Sequence, residues 1–369
     1  MTLRVKYIIF TVMSISGFFR RLFSRSAAQE LPQAAEPEKP SRPEERFILC
    51  LDGGGMRGII PVVMMMQLEK CIREAGGNED IAQYFDMISG TSTGGLISLA
   101  LSCPSSIARE KDRDPQVDLE KLLANYMTMG KDIFQAQSSL FGLRQIVSDK
   151  YRSENIQELC QRWFGARTMD CAKVPTLIMA YDLTEGSPRM IRSYGDEASY
   201  PVWIAARATS AAPTYFSPVE YDGHLLVDGG VIANNPAVFA YFEARKLYPD
   251  CRKFNILSVS TGGAYHTMNK DSTKGLMSWA DQVAPMYSTA QKRTADHILV
   301  NLPDVDYIRI DDVLSQPVKM DETNPTVLQF IRQEAENNAL VHQNKLENYA
   351  KALVENMEFR NNASETGRT

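Results

Sequence analysis

Residues 90–94 read Gly-Thr-Ser-Thr-Gly, with Ser92 at the centre and the apolar pair Met87-Ile88 just before. A Gly-x-Ser-x-Gly turn reverses a strand sharply into a helix and leaves the middle serine strained and exposed, which is one way to present a nucleophile. Gly90, Thr91, Thr93 and Gly94 would form that elbow. A nucleophilic serine also needs donors for a developing oxyanion, and a base. Asp52–Gly58, DGGGMRG, lies one strand earlier and runs straight into a helical pattern. Glycines without Cβ atoms let the backbone turn tightly and present its N–H groups at a helix start. Gly53–Gly58 fits GxGxxG, so two readings compete, a phosphate loop and an oxyanion hole. A dinucleotide site needs an acid at the end of the next strand, about 20 residues on. That strand ends instead in Ser89-Gly90-Thr91-Ser92, and a P-loop lysine is absent. The oxyanion reading is the stronger one, with Gly53, Gly54, Gly55, Arg57 and Gly58 as its residues.

The base is less obvious. Of the four histidines, His224 precedes a strand, His297 sits in the apolar ADHILV and His342 in a charged helix. Only His266, in TGGAYHTMN, falls on an expected strand-end loop. Asp228 ends the apolar HLLV and is followed by Gly229 and Gly230, so a backbone can approach it closely. A carboxylate shielded from water is a stronger base than one in bulk, because burial disfavours its charge. Asp228 is therefore the favoured proton acceptor, with a simple turn aspartate as the alternative.

These groups need strands and helices to hold them. Phe47–Leu51, Tyr84–Ser89, Thr176–Leu183, Arg189–Tyr194, His224–Asp228 and Phe254–Ser260 read as strands. Ile59–Ala75 and Val327–Val354 carry helical periodicity, and a helix should follow Ser92. Strands interleaved with helices predict an α/β domain with a largely parallel central sheet, its reactive groups at the strands' carboxyl ends. Leu140–Leu143, Met127–Met129 and Met277–Trp279 are candidates to line an apolar channel, although ordinary core packing is the commoner role for such residues.

The 369 residues divide unevenly in charge. With −5 overall and +5 in residues 1–25, the rest carries −10. Nothing here suggests nucleic-acid binding. The apolar run Tyr7–Phe19 spans 13 residues, short of the roughly 20 a membrane-crossing helix needs. Arg20 and Arg21 follow it directly, where a signal-peptide cleavage region would be small and uncharged. A membrane-surface anchor is the favoured reading of residues 1–25, and a cleaved signal the alternative. A membrane-associated cytoplasmic location follows from the first and secretion from the second. Residues 26–46, rich in Pro, Ala and Glu, read as a flexible linker; residues 47–355 form the folded domain, and 356–369 a polar, frayed tail. The six cysteines show no CxxC spacing, so buried thiols are expected and neither a metal nor another cofactor is.

DGGGMRG, GTSTGG and VDGGVIANNP, in this order, resemble the motifs of the patatin-like phospholipases. KYRSENIQELCQRWFG, ARATSAAPTYFSPV and LSVSTGG support the resemblance, which covers roughly residues 47–349. It implies a three-layer domain and a Ser-Asp dyad, with Ser92 as nucleophile, Asp228 as proton acceptor and Gly53–Gly55 with Arg57 as the oxyanion loop. It also implies hydrolysis of acyl esters of phospholipids and other glycerolipids without calcium. Head-group choice, acyl position and any activating ligand stay open. An esterase for soluble substrates is the nearer alternative, and a catalytically silent binding module the more distant one.

Overall fold

The computed structural model describes residues 44–109, 116–135, 149–265 and 282–366. Residues 1–43, including the expected anchor and most of the linker, lie outside them, as do His266, Leu140–Leu143 and Met277–Trp279. Among the described residues eight strands form one sheet: β1 (Glu45–Leu51), β2 (Met87–Thr91), β3 (Thr176–Asp182), β4 (Ser187–Arg192), β5 (Val219–Tyr221), β6 (His224–Asp228), β7 (Lys253–Val259) and β8 (Val305–Ile310). Their order is β5-β6-β3-β2-β1-β7-β8, with β4 also paired to β3. The centre, from β3 through β2 and β1 to β7 and β8, is parallel.

Helices α1 (Ile59–Glu74), α2 (Thr93–Ser102), α3 (Leu119–Ile133), α4 (Ser153–Phe164) and α5 (Val202–Thr209) precede α6 (Ala237–Leu247) and α7 (Val283–Leu299). The chain ends in α8 (Pro325–Val341) and α9 (Gln343–Thr366). The period of two along β1 assigns them to layers. Phe47, Leu49 and Leu51 join the core built with α1–α5, α8 and α9, whereas Ile48 and Cys50 join a second core with α6 and Leu299 of α7. A strand buried on both faces reads as an unbroken apolar run, which is why ILCL shows no alternation.

One feature of the sheet decides where the site lies. β4 pairs with β3 along Leu177–Asp182, so the other edge of β3 must serve two partners. β2 takes the first half, ending with Thr91 opposite Met179. β6 runs the opposite way along the second half, ending with Asp228 opposite Ala180. The carboxyl ends of β2 and β6 therefore meet head-on.

Four expectations shift. The second strand starts at Met87, not Tyr84, because residues 81–84 form a short 3₁₀ turn capped by Asp80 and the Asp86 carboxylate accepts the Phe47 N–H at 2.8 Å. β5 and β8 were not expected; β8 (VDYIRI) alternates charged and apolar residues and completes the parallel edge. The C-terminal helical stretch breaks at His342, whose Nε2 lies 2.7 Å from an Asp312 oxygen. The polar tail is helical through Thr366, held by Arg360 Nη1 on Asp86 at 2.7 Å. All six cysteines are free thiols. No helix among the described residues is long and apolar enough to cross a membrane.

Candidate active site

Ser92 is the first residue beyond β2 and the N-cap of α2, at φ 56° and ψ −126°. A non-glycine residue in that region costs on the order of 1–3 kcal/mol and persists only where its surroundings enforce it. Here they do. A Cβ at Gly90 would lie 2.2 Å from the Gly94 carbonyl oxygen, and one at Gly94 would lie 2.1 Å from that of Leu51. The turn closes only because both are glycine. Thr209 completes the enforcement: its hydroxyl accepts the Ser92 N–H at 2.8 Å and donates to Met179 O at 2.6 Å. It sits where the edge of β3 changes partner. Thr91 donates to Ala233 O at 2.7 Å, and Thr93 hydrogen-bonds the Tyr126 hydroxyl at 2.8 Å, so both flanking threonines anchor the elbow.

Across the junction, Asp228 lines the same cavity as Ser92, and its carboxylate accepts the Gly230 N–H at 2.7 Å. Burial pushes its pKa up to about 6, against the pull of Ser92 and the Gly230 N–H. Gly229 packs against β3 so tightly that a Cβ would lie 2.5 Å from Met179 C. The described histidines are elsewhere. His224 Nδ1 is held by Asp182 at 2.6 Å and His342 by Asp312, and neither they nor His297 line the cavity above Ser92.

The glycine loop divides by task. The Gly53 N–H donates to Asn234 O at 3.1 Å, and the Gly53 carbonyl accepts from Thr261 at 2.8 Å and from Asn234 Nδ2 at 3.2 Å. Gly53 therefore clamps the loop rather than offering a donor to substrate. Gly58 also lies off the cavity: a Cβ there would strike Thr93 Oγ1 at 2.4 Å, so it lets the loop pack on the elbow. Gly54 and Gly55 do line the cavity, and no hydrogen bond among the described residues uses their N–H groups. Gly55 has φ 61°, and its approach to Met320 O, at 2.2 Å from a built Cβ, excludes any side chain. Arg57 donates from Nη1 to Val318 O at 3.0 Å and thereby fixes the same segment. Below the loop, Arg309 grips Asp52 with two bonds, Nη1 to Oδ1 at 2.8 Å and Nη2 to Oδ2 at 2.6 Å.

Sequence reasoning did not single out Asn234, Thr209, Thr261 or the Asp52–Arg309 pair. Asn234 lies in VIANNP and Thr209 in ARATSAAP, both inside recognised segments. Arg309 carried no local signal.

Above Ser92 opens a cavity of about 860 Å³, within the usual 300–1,000 Å³ range of ligand sites. Of the expected channel residues, Met129 lines it; Met127 packs against the core, and Thr128 turns outward to the Ala124 carbonyl. Leu96, Ile133, Phe134, Ile156 and Phe216 extend the apolar wall. A strained serine on a carboxylate, beside two backbone donors and an apolar cavity, is equipped to attack an acyl carbonyl.

That combination on a parallel α/β sheet defines a class, the elbow-type serine hydrolases. The family described as "Patatin-like phospholipase" matches residues 49–241. "Patatin-like protein 2" of Oryza sativa subsp. indica is 30% identical over 318 residues, covering 75% of this chain and 76% of its own. "Patatin-07" of Solanum tuberosum is 26% identical over 85% of this chain and 91% of its own, and "Phospholipase A I" of Arabidopsis thaliana 25% over 76% and 26%. The chain belongs to the patatin-like phospholipase family.

Proposed function

We propose that this lipid acyl hydrolase works through a Ser92–Asp228 dyad. The observation that carries the reading is the head-on meeting of β2 and β6, which brings the strained Ser92 and the buried Asp228 onto the lining of one apolar cavity. Asp228 takes the Ser92 proton as Oγ attacks the acyl carbonyl. The N–H groups of Gly54 and Gly55 hold the oxyanion, and the cavity's apolar wall takes the acyl chain. Collapse expels the alcohol, which leaves with the proton from Asp228. Asp228 then takes a proton from water, the resulting hydroxide attacks the acyl-enzyme, and the fatty acid is released as Ser92 regains its hydrogen.

A base must be ionised to act. With the Asp228 pKa at about 6, kcat/KM should rise tenfold per pH unit below about pH 6 and level off above it, since kcat/KM reports the free enzyme's base. The test is a pH profile of fatty-acid release from a phospholipid. A profile flat from pH 4.5 to pH 8, or one falling across that interval, overturns the assignment of the base.

The membrane surface belongs to the same proposal. Residues 1–25 combine the apolar run with five basic residues, each worth about 1 kcal/mol near an anionic surface. Deleting them should abolish sedimentation with anionic vesicles while leaving hydrolysis of a soluble short-chain ester unchanged. If vesicle binding survives the deletion, the anchor reading fails.

A further inference from the structure

The cavity lies across the strand ends and takes its walls from both helical layers. Its apolar side comes from α2, α3, α4 and the Ala212–Phe216 segment, on the larger core. Its other side comes from α7, which offers Ser288 and Lys292, one helical turn apart on the same face. Ser92 and Asp228 lie on the lining with both.

Lys292 stands out among these residues. It is only 7% exposed, and no hydrogen bond or ion pair of its ammonium occurs among the described residues. Asp52 and Asp311 act on it at longer range. Both acids have nearer partners. Asp52 is held in both oxygens by Arg309, and Asp311 accepts the Tyr265 hydroxyl and lies 3.5 Å from Arg309 Nη2. Of the other cations on the lining, the half-buried Arg57 is engaged with Val318 O, and Lys319 is exposed to solvent. A buried ammonium without a direct counter-ion is costly, and a ligand that brings an anion relieves that cost.

We infer that Lys292, with the Ser288 hydroxyl, forms a subsite for the phosphodiester of a glycerophospholipid head group. The substrate then lies with its acyl chain on the α3–α4 wall, its ester at Ser92 and its phosphate at α7. The inference rests on the hydrolase reading above and adds the residues that would recognise the head group's phosphodiester. Lys292 acts as a specificity-determining group, because a site built to pair a polar substrate group rejects the analogue that lacks it.

The experiment compares the full chain on two substrates with identical acyl chains, phosphatidylcholine and diacylglycerol, at equal mole fraction in non-ionic detergent micelles. The zwitterionic head group keeps the micelle surface neutral, so the comparison reads the phosphodiester itself. The ratio of kcat/KM for phosphatidylcholine over diacylglycerol is expected to fall at least about tenfold in Lys292→Met, or about 1.4 kcal/mol. Lys292→Gln, a milder change for folding, should lower the same ratio, and Lys292→Arg should hold it within about threefold of wild type. Losses equal on both substrates would make Lys292 a counter-charge to Asp52 and Asp311, and would overturn the subsite; so would an unchanged ratio. Inorganic phosphate supplies a further arm, assayed with a soluble ester. Strong competition that vanishes in Lys292→Met, alongside an unchanged lipid ratio, would assign the site to the free ion instead. Were the wild type to cleave neither lipid nor soluble ester, the hydrolase reading itself would fail.

Discussion

Ser92→Ala and Asp228→Asn are each expected to lower ester hydrolysis about a thousandfold or more, and the double variant no further, because nucleophile and base act as one unit. The two residues line the same cavity at the meeting of β2 and β6, so removing either leaves the other without its chemical partner. Ser92→Ala deletes the attacking oxygen. Asp228→Asn leaves the serine hydroxyl without its proposed base, and no histidine among the described residues lines the cavity to replace it. What would remain is the pull of the proposed Gly54 and Gly55 donors on a carbonyl, which by itself does not make a serine nucleophilic. A fluorophosphonate probe should label the wild type and spare Ser92→Ala. His266→Ala should keep full activity. Its loss would point to a triad, and retention of more than about a tenth of activity in Asp228→Asn would overturn Asp228 as the base.

Gly54→Ala should cost roughly a hundredfold in kcat, on the scale of losing one oxyanion donor. The added Cβ would lie 2.1 Å from Thr261 Oγ1 and 2.5 Å from Thr261 Cβ. A rigid, branched side chain at that distance cannot step aside as a flexible chain end could. Either the loop or Thr261 must move, and Thr261 is also the donor to the Gly53 carbonyl. In the proposed mechanism the N–H groups of Gly54 and Gly55 would then lose their aim at the substrate carbonyl. The sheet is untouched, so thermal melting should fall only modestly while activity per folded molecule falls steeply. A variant that melts far earlier yet keeps normal activity per folded molecule would make the loop a structural turn only.

The parts of the site that sequence revealed are those written in a few consecutive residues. A serine between two glycines after an apolar strand, a run of three glycines before a helix, and an aspartate followed by two glycines each describe one local turn. The backbone chemistry of glycine makes such turns legible without knowledge of the rest of the chain. The same holds for β1 and α1, whose apolar run and helical periodicity placed them within two residues of their observed limits. Legibility failed where a local pattern met a tertiary demand. Tyr84 and Phe85 read as strand, yet Asp80 caps a turn there and Asp86 diverts to the Phe47 N–H. Gly53 read as a donor, yet Asn234 takes its N–H.

The sequence by itself determined which residues could be nucleophile, base and oxyanion loop, because each depends on turn chemistry within about seven neighbouring positions. It did not determine that they meet. That required β2 and β6 to run toward each other along one edge of β3, a register set by pairings between residues far apart in the chain. It also required Thr209 to bridge the junction across 117 positions, Asn234 to brace the glycine loop across 181, and Arg309 to hold Asp52 across 257. Hydrogen bonds and ion pairs of that span have no local signature. Only the assembled sheet, which fixes every strand's register at once, brings their partners within reach.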